Sequence, residues 1–155
     1  MTLADTICRY WDSTNFISLI AEDELSRADT CQRILEDAEQ GNSQIVISAL
    51  TIAEIIKPKG QPVLSEDAET TISNFFLHDY ILVCDLTRAV AEDARKLARQ
   101  HGLKPNDAVH LATAIATKVD MFETWNTNDF SGLQGIPFPI REPTWQGTPR
   151  LPGIE

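Results

Sequence analysis

Hydrophobic and polar positions follow two rhythms along this chain, and each change of rhythm marks an element. Residues 6–11 (TICRYW) read as a short strand, after which Phe16, Ile17, Leu19 and Ile20 recur at helical spacing. A second helix is expected over Arg27–Gln40, stopped by Gly41-Asn42. Gln44–Ile47 is a compact β-branched run, and Ser48 can cap a helix from Ala49 to about Ile56, ahead of Pro58. Ser65 followed by Glu66 and Asp67 starts another helix, to about Leu77. Ile81–Val83 is the third strand. Thr87–His101 is a helix with Ala89, Val90, Ala94, Leu97 and Ala98 on its apolar side, ended by Gly102. Lys104-Pro105-Asn106-Asp107 introduces a helix to about Thr117, with Ala108, Leu111, Ala112 and Ile115 as its stripe. Met121–Thr124 is a fourth strand candidate and Phe138–Ile140 a short fifth.

Strands separated by helical stretches indicate an α/β fold: a three-layer α/β/α sandwich with a mostly parallel, doubly wound sheet of four to five short strands. In such sheets ligands bind beyond the carboxyl ends of the strands. The 155 residues, 43% of them hydrophobic, suit one domain, taken as residues 1–141. Residues 142–155, with Pro143, Gly147, Pro149, Pro152 and Gly153, read as a tail with little regular structure.

Cys8, Cys31 and Cys84 are widely spaced and form no CxxC pair, so neither a disulfide framework nor a thiolate zinc site is expected. No apolar run approaches the length needed to cross a bilayer, and no leader-like start is seen, so the expected setting is the cytoplasm. The net charge of −10 disfavours unaided binding to a polyanion. Charge is uneven, however: residues 1–43 hold nine acids and three bases, whereas residues 81–119 hold six bases and four acids. The basic strip from Arg88 to Lys104, with Arg95 and Lys96 at its centre, is the best candidate for contact with phosphates.

Four acids fall at places that a doubly wound sheet can bring to one edge. Asp12 ends the first strand, Glu54 lies within ALTIAEII, Asp107 opens a helix and Asp129 follows the fourth strand. Each has an ordinary reading as well: Asp12 as a helix N-cap, Asp107 as a first-turn acid, Asp129 as a turn residue. Glu54 resists one, because charged groups are seldom surrounded by apolar side chains without a partner. Converging carboxylates repel one another unless a cation neutralises them, and oxygen-only ligands suit magnesium or manganese. Metal-assisted phosphodiester hydrolysis is the chemistry that follows. His110, one turn after Asp107, is left outside the site as a packed or surface histidine, and Trp125 is read as a core or rim aromatic.

Taken in order, four segments resemble the PIN-domain ribonucleases, and especially the VapC-type toxins of bacterial toxin–antitoxin pairs. These are YWDSTNFISLI, SALTIAEII, KPNDAVHLATAIA and VDMFETWNTNDF, which together span about residues 9 to 140. The resemblance implies a magnesium- or manganese-dependent endoribonuclease acting on RNA, with an antitoxin partner and often a homodimer. It implies that Asp12, Glu54 and Asp107 are metal-binding or catalytic carboxylates, with Ser13 as a polar neighbour that orients the first acid. The family's last motif commonly has a Thr followed two residues later by an Asp. ETWNTNDF can be matched through Thr127 and Asp129 or through Thr124 and Asn126. The first match is preferred, with Asp129 reaching the metal directly or through water and Asn126 adjacent.

An alternative reading is a weakly active or inactive domain that works by binding a protein partner, suggested by the charge and the uncertain fourth acid. A phosphatase or receiver-type domain would use one strand-end aspartate covalently. No DxDxT-like stretch supports it.

Overall fold

Five short strands among the described residues set the geometry of the molecule. The computed structural model describes residues 6–20, 25–58 and 60–145. The strands are β1 (Ile7–Trp11), β2 (Ser43–Ser48), β3 (Ile81–Cys84), β4 (Met121–Glu123) and β5 (Ile140–Arg141). They form one wholly parallel sheet in the order β3-β2-β1-β4-β5. The helices are α1 (Ser13–Ile20), α2 (Leu25–Glu39), α3 (Ala49–Glu54), α4 (Glu66–Phe75), α5 (Arg88–His101) and α6 (Pro105–Thr117). A 3-10 turn spans Thr127–Phe130.

Alternation along β1 divides the core. Trp11, with Ile45 and Ile47 of β2, joins a cluster with Phe16, Cys31, Ile34, Leu35 and Ile72 from α1, α2 and α4. Tyr10, Val46 and Phe122 face the other way, onto Leu111 and Ala114 of α6, and α5 packs outside α6. Tyr10, Trp11, Phe16 and Phe122 are fully buried, and burying each large apolar side chain is worth about 1.5–3 kcal/mol.

The helix ends follow their local chemistry. Ser48, Ser65 and Thr87 each accept a backbone N–H at the start of α3, α4 and α5, and Gly102 closes α5 with φ 71°, a left-handed conformation that glycine adopts without strain. No described helix is long and apolar enough to cross a membrane. Of the expected tail, residues 146–155 lie outside the described residues. Its first part is packed: Pro143 is buried and the guanidinium of Arg33 lies 5.4 Å from the centre of the Trp145 ring.

One charged pair is built into the sheet. Arg9 of β1 donates to Glu123 Oε2 of β4 at 2.7 Å, and Trp11 Nε1 donates to the other oxygen at 3.0 Å. Asn15 Nδ2 donates to the Glu123 carbonyl at 2.9 Å, so the same residue fixes the start of α1.

Candidate active site

The chain runs β1, β2, β3 outward in one direction and then returns to β4 on the opposite side of β1. The β1–β4 boundary is therefore the switch point at which an open parallel sheet leaves a crevice. Trp11 and Glu123 are register partners at its carboxyl end, which places Asp12 and Thr124 side by side. Thr124 Oγ1 donates to Asp12 Oδ2 at 2.6 Å. Asp12 Oδ1 accepts from the hydroxyl of Thr14 at 2.5 Å and from its backbone N–H at 3.1 Å. Asp12 thus caps α1 and faces the crevice at once, so its two readings from sequence are compatible. Burial pushes its carboxyl up, and the hydrogen bonds from Thr124 and Thr14 offset part of that rise.

Glu54 is the last residue of α3, which leaves the carboxyl end of β2. Its partner, required by its apolar surroundings, is His110: the two meet at 2.6 Å through Nε2 and Oε1. Asn106 donates to Oε2 at 3.1 Å, and the Ser13 hydroxyl lies beside the same carboxylate. Burial alone would raise this carboxyl, but the contacts with His110, Asn106 and Ser13 hold it below its usual value.

His110, read from sequence as a packed or surface histidine outside the site, is packed, and it contacts Glu54 directly. It is buried, and its Nδ1 lies 2.7 Å from the Tyr10 hydroxyl. The signal was its spacing: Asn106 and His110, four apart on α6, share the face that meets Glu54. The contact of the Thr124 hydroxyl with Asp12 could not be read from sequence for a different reason. It depends on the pairing of strands more than a hundred residues apart, which spacing does not reveal.

Asp107 sits in the first turn of α6 and its carboxyl is pushed up to about 6, first by burial and then by the charges of Asp129 and Asp12. Asp12 and Asp129 therefore both lie within electrostatic reach of Asp107. Asp129 is exposed on the 3-10 turn. Of the residues in the last motif, the threonine bonded to Asp12 is Thr124, and the acid whose charge bears most on Asp107 is Asp129. Asn126 contributes its backbone, donating to Thr124 Oγ1 at 3.0 Å and accepting from the Asp129 N–H at 3.1 Å.

Among the described residues no three His, Cys, Asp or Glu side chains converge tightly enough to grip one bare ion. The donor chemistry nonetheless fits a hard cation, because the set is oxygen-only and the charges of Asp129 and Asp12 bear on Asp107. Magnesium keeps several of its waters, through which carboxylates can hold it at a distance.

Arg95 and Lys96 are exposed on α5, away from the strand ends; Arg95 borders a shallow apolar hollow with Ala98, Pro105 and Val109. The groups whose charge lowers the Asp107 carboxyl are His110 and, after it, Lys104. Trp125 is half-buried, its Nε1 donating to Ser18 at 3.2 Å, with the Arg27 guanidinium 4.9 Å from its ring centre.

The PIN domain profile matches residues 10–134. No curated protein matches the sequence significantly. Among solved structures, a toxin–antitoxin complex from Klebsiella pneumoniae is similar at a TM-score of 0.61 and 22% identity, covering 87% of this chain and 97% of that one. Mycobacterium tuberculosis VapC20, described as a sarcin–ricin loop cleaving toxin, gives 0.62 and 13%, covering 79% and 93%. VapBC2 from Rickettsia felis, bound to a fragment of promoter DNA, gives 0.59 and 21%, covering 88% and 98%. With that profile spanning most of the chain, and its parallel sheet carrying acids at the switch point, the chain belongs to the PIN domain family.

Proposed function

We propose that this chain is a divalent-metal-dependent endoribonuclease and the toxin of a type II toxin–antitoxin pair, acting as a homodimer and held in check by an antitoxin. The observation that carries this reading is the charge of Asp129 and Asp12 bearing on Asp107 at the switch point, with Glu54 hydrogen-bonded to Asn106, the residue before Asp107. Asp12, Asp107 and Asp129 would hold magnesium or manganese directly or through its waters, and Glu54 completes the negative edge. When bound, the ion supplies an activated water and stabilises charge building on the phosphate. Thr14 and Thr124 keep Asp12 in one orientation, and Lys104 offers the nearest positive charge to an incoming backbone. The solved relatives from Klebsiella and Rickettsia, described as toxin–antitoxin assemblies, support the protein partner, and the Mycobacterium toxin supports RNA as substrate.

The test is cleavage of labelled RNA with magnesium or manganese by wild type, Asp12→Ala and Glu54→Ala. Metal-dependent cutting by wild type, lost in both variants, is the expected result; equal activity in all three ends the assignment. A binding module without catalysis is favoured by one observation: both Asp12 oxygens are already occupied by hydroxyls. Calorimetry that finds no binding of either ion at millimolar concentration selects that reading.

A further inference from the structure

The nuclease reading leaves a buried histidine of α6 unused. His110 is 2% exposed, yet both of its ring nitrogens meet polar side chains: Nδ1 the Tyr10 hydroxyl at 2.7 Å and Nε2 the Glu54 carboxylate at 2.6 Å. We propose that Tyr10 and His110 form a positioning relay that holds Glu54 in the orientation a divalent cation needs, with Tyr10 donating to Nδ1 and the Nε2–H donating to Glu54. The proposal rests on the nuclease reading above.

Three observations carry it. The first is the direction of the hydrogen bonds. A carboxylate only accepts, so the nitrogen facing Glu54 carries a proton; in a neutral ring the other nitrogen then accepts, and the phenol must donate. The backbone of Ser48 and the hydroxyl of Thr51 crowd the accepting side of the Tyr10 oxygen. That Thr51 hydroxyl is buried and makes no hydrogen bond of full geometry among the described residues, which suits a weak donor there.

The second is the weakness of the helix that carries Glu54. α3 has six residues and ends at Glu54, and Ile55 departs from helical geometry at φ −85° and ψ 82°. The direction of Glu54 is therefore set from outside, by α6, where His110 and Asn106 each take one carboxylate oxygen.

The third is the anchor. Tyr10 stacks on Phe122 with ring centres 4.8 Å apart and lies two residues before Asp12 on β1. The relay thus ties Glu54 to the strand that presents Asp12, fixing two carboxylates to one frame. Hydrogen-bonded groups behind metal-binding carboxylates and imidazoles are worth about 10–100-fold in affinity or rate.

The experiment compares full-length wild type, His110→Leu, His110→Gln and Tyr10→Phe. It measures manganese affinity by calorimetry, RNA cleavage as kcat and KM, thermal melting, and the imidazole nitrogen shifts in 15N-labelled, metal-free protein. Expected results are the Nε2–H tautomer in wild type and a loss of about 10–100-fold in manganese affinity and kcat for folded His110→Leu, with KM for RNA unchanged. The glutamine amide, which can donate to Glu54, restores most of that loss, and Tyr10→Phe shows a smaller loss with a shifted tautomer. Should the leucine variant not fold, the glutamine and phenylalanine variants and the tautomer decide. An Nδ1–H or doubly protonated ring in wild type overturns the relay. So does a folded leucine variant with wild-type manganese affinity and kcat, or a glutamine variant no better than leucine. Wild type that neither binds manganese nor cuts RNA defeats the nuclease reading itself, whereas active wild type with unaffected variants defeats only the relay.

Discussion

Asp12 and Thr124, the residues that follow register partners on two adjacent parallel strands, are joined by a hydrogen bond of 2.6 Å in the interior of the protein. A hydrogen bond to a charged acceptor is worth about 1.5–3 kcal/mol. Thr124→Val keeps the shape and removes the donor, so it is expected to cost that much in stability and to raise the Asp12 carboxyl further. Thr124→Ser should restore both. Denaturant unfolding of the three proteins checks this, and a valine variant as stable as wild type contradicts it.

The raised acids give the metal-free protein an unusual pH dependence. An acid whose pKa is higher folded than unfolded binds more protons in the native state, so stability falls as pH rises between the two values. For Asp107 that window runs from about 3.9, the unfolded value, to about 6. Asp12 and Glu123, also raised by burial, act in the same direction. Glu54 acts oppositely: its depressed carboxyl adds stability that is lost as pH falls below about 4.3. Melting temperature should therefore decline from pH 5 to pH 7, and the decline should shrink in Asp107→Asn. A flat profile in wild type counts against the crowding of these carboxylates.

Bound manganese should reverse that decline. A ligand present at 100 times its dissociation constant stabilises by about 2.7 kcal/mol. Wild type at pH 7 is expected to melt higher with manganese, while Asp12→Ala and Asp107→Asn show little response. Thermal scans with and without a chelator measure it.

Arg9 and Glu123 form a buried pair, and removing one partner of such a pair costs about 3–5 kcal/mol. Glu123→Leu should therefore be severely destabilising, and Arg9→Met with Glu123→Leu should recover much of the loss. A double-mutant cycle by denaturant unfolding measures the coupling; independent, additive effects would show that the pair is not coupled.

RNA contact is expected to centre on Lys104. Lys104→Ala should weaken RNA binding and lower the salt slope by about one ion, whereas Arg95→Ala with Lys96→Ala should have the smaller effect. Binding titrations at several salt concentrations separate the two surfaces, and the reverse ranking would return the contact to the middle of α5.

The elements were readable because this chain marks them locally. The Ser48, Ser65 and Thr87 caps, the Gly102 stop and the stripe of α6 lie within a few residues of the ends they define. The candidate acids stood out locally too, Asp12, Asp107 and Asp129 by their places beside strand and helix ends and Glu54 by its apolar neighbours. Their partners did not. Thr124 finds Asp12 only after β4 returns beside β1, and His110 finds Glu54 only after α6 crosses the end of β2. Glu123 drew no notice because nothing in its sequence neighbourhood reveals Arg9 on the next strand.

The central place of β1 has one more consequence, for the order in which the site is completed. Its two neighbours in the sheet come from positions 43–46 and 121–123, so a polypeptide cut short before β4 leaves one side of β1 bare. Such a fragment lacks the threonine that orients Asp12 and offers an open edge to other strands. A broken or half-made copy thus has an unfinished site and is prone to clump.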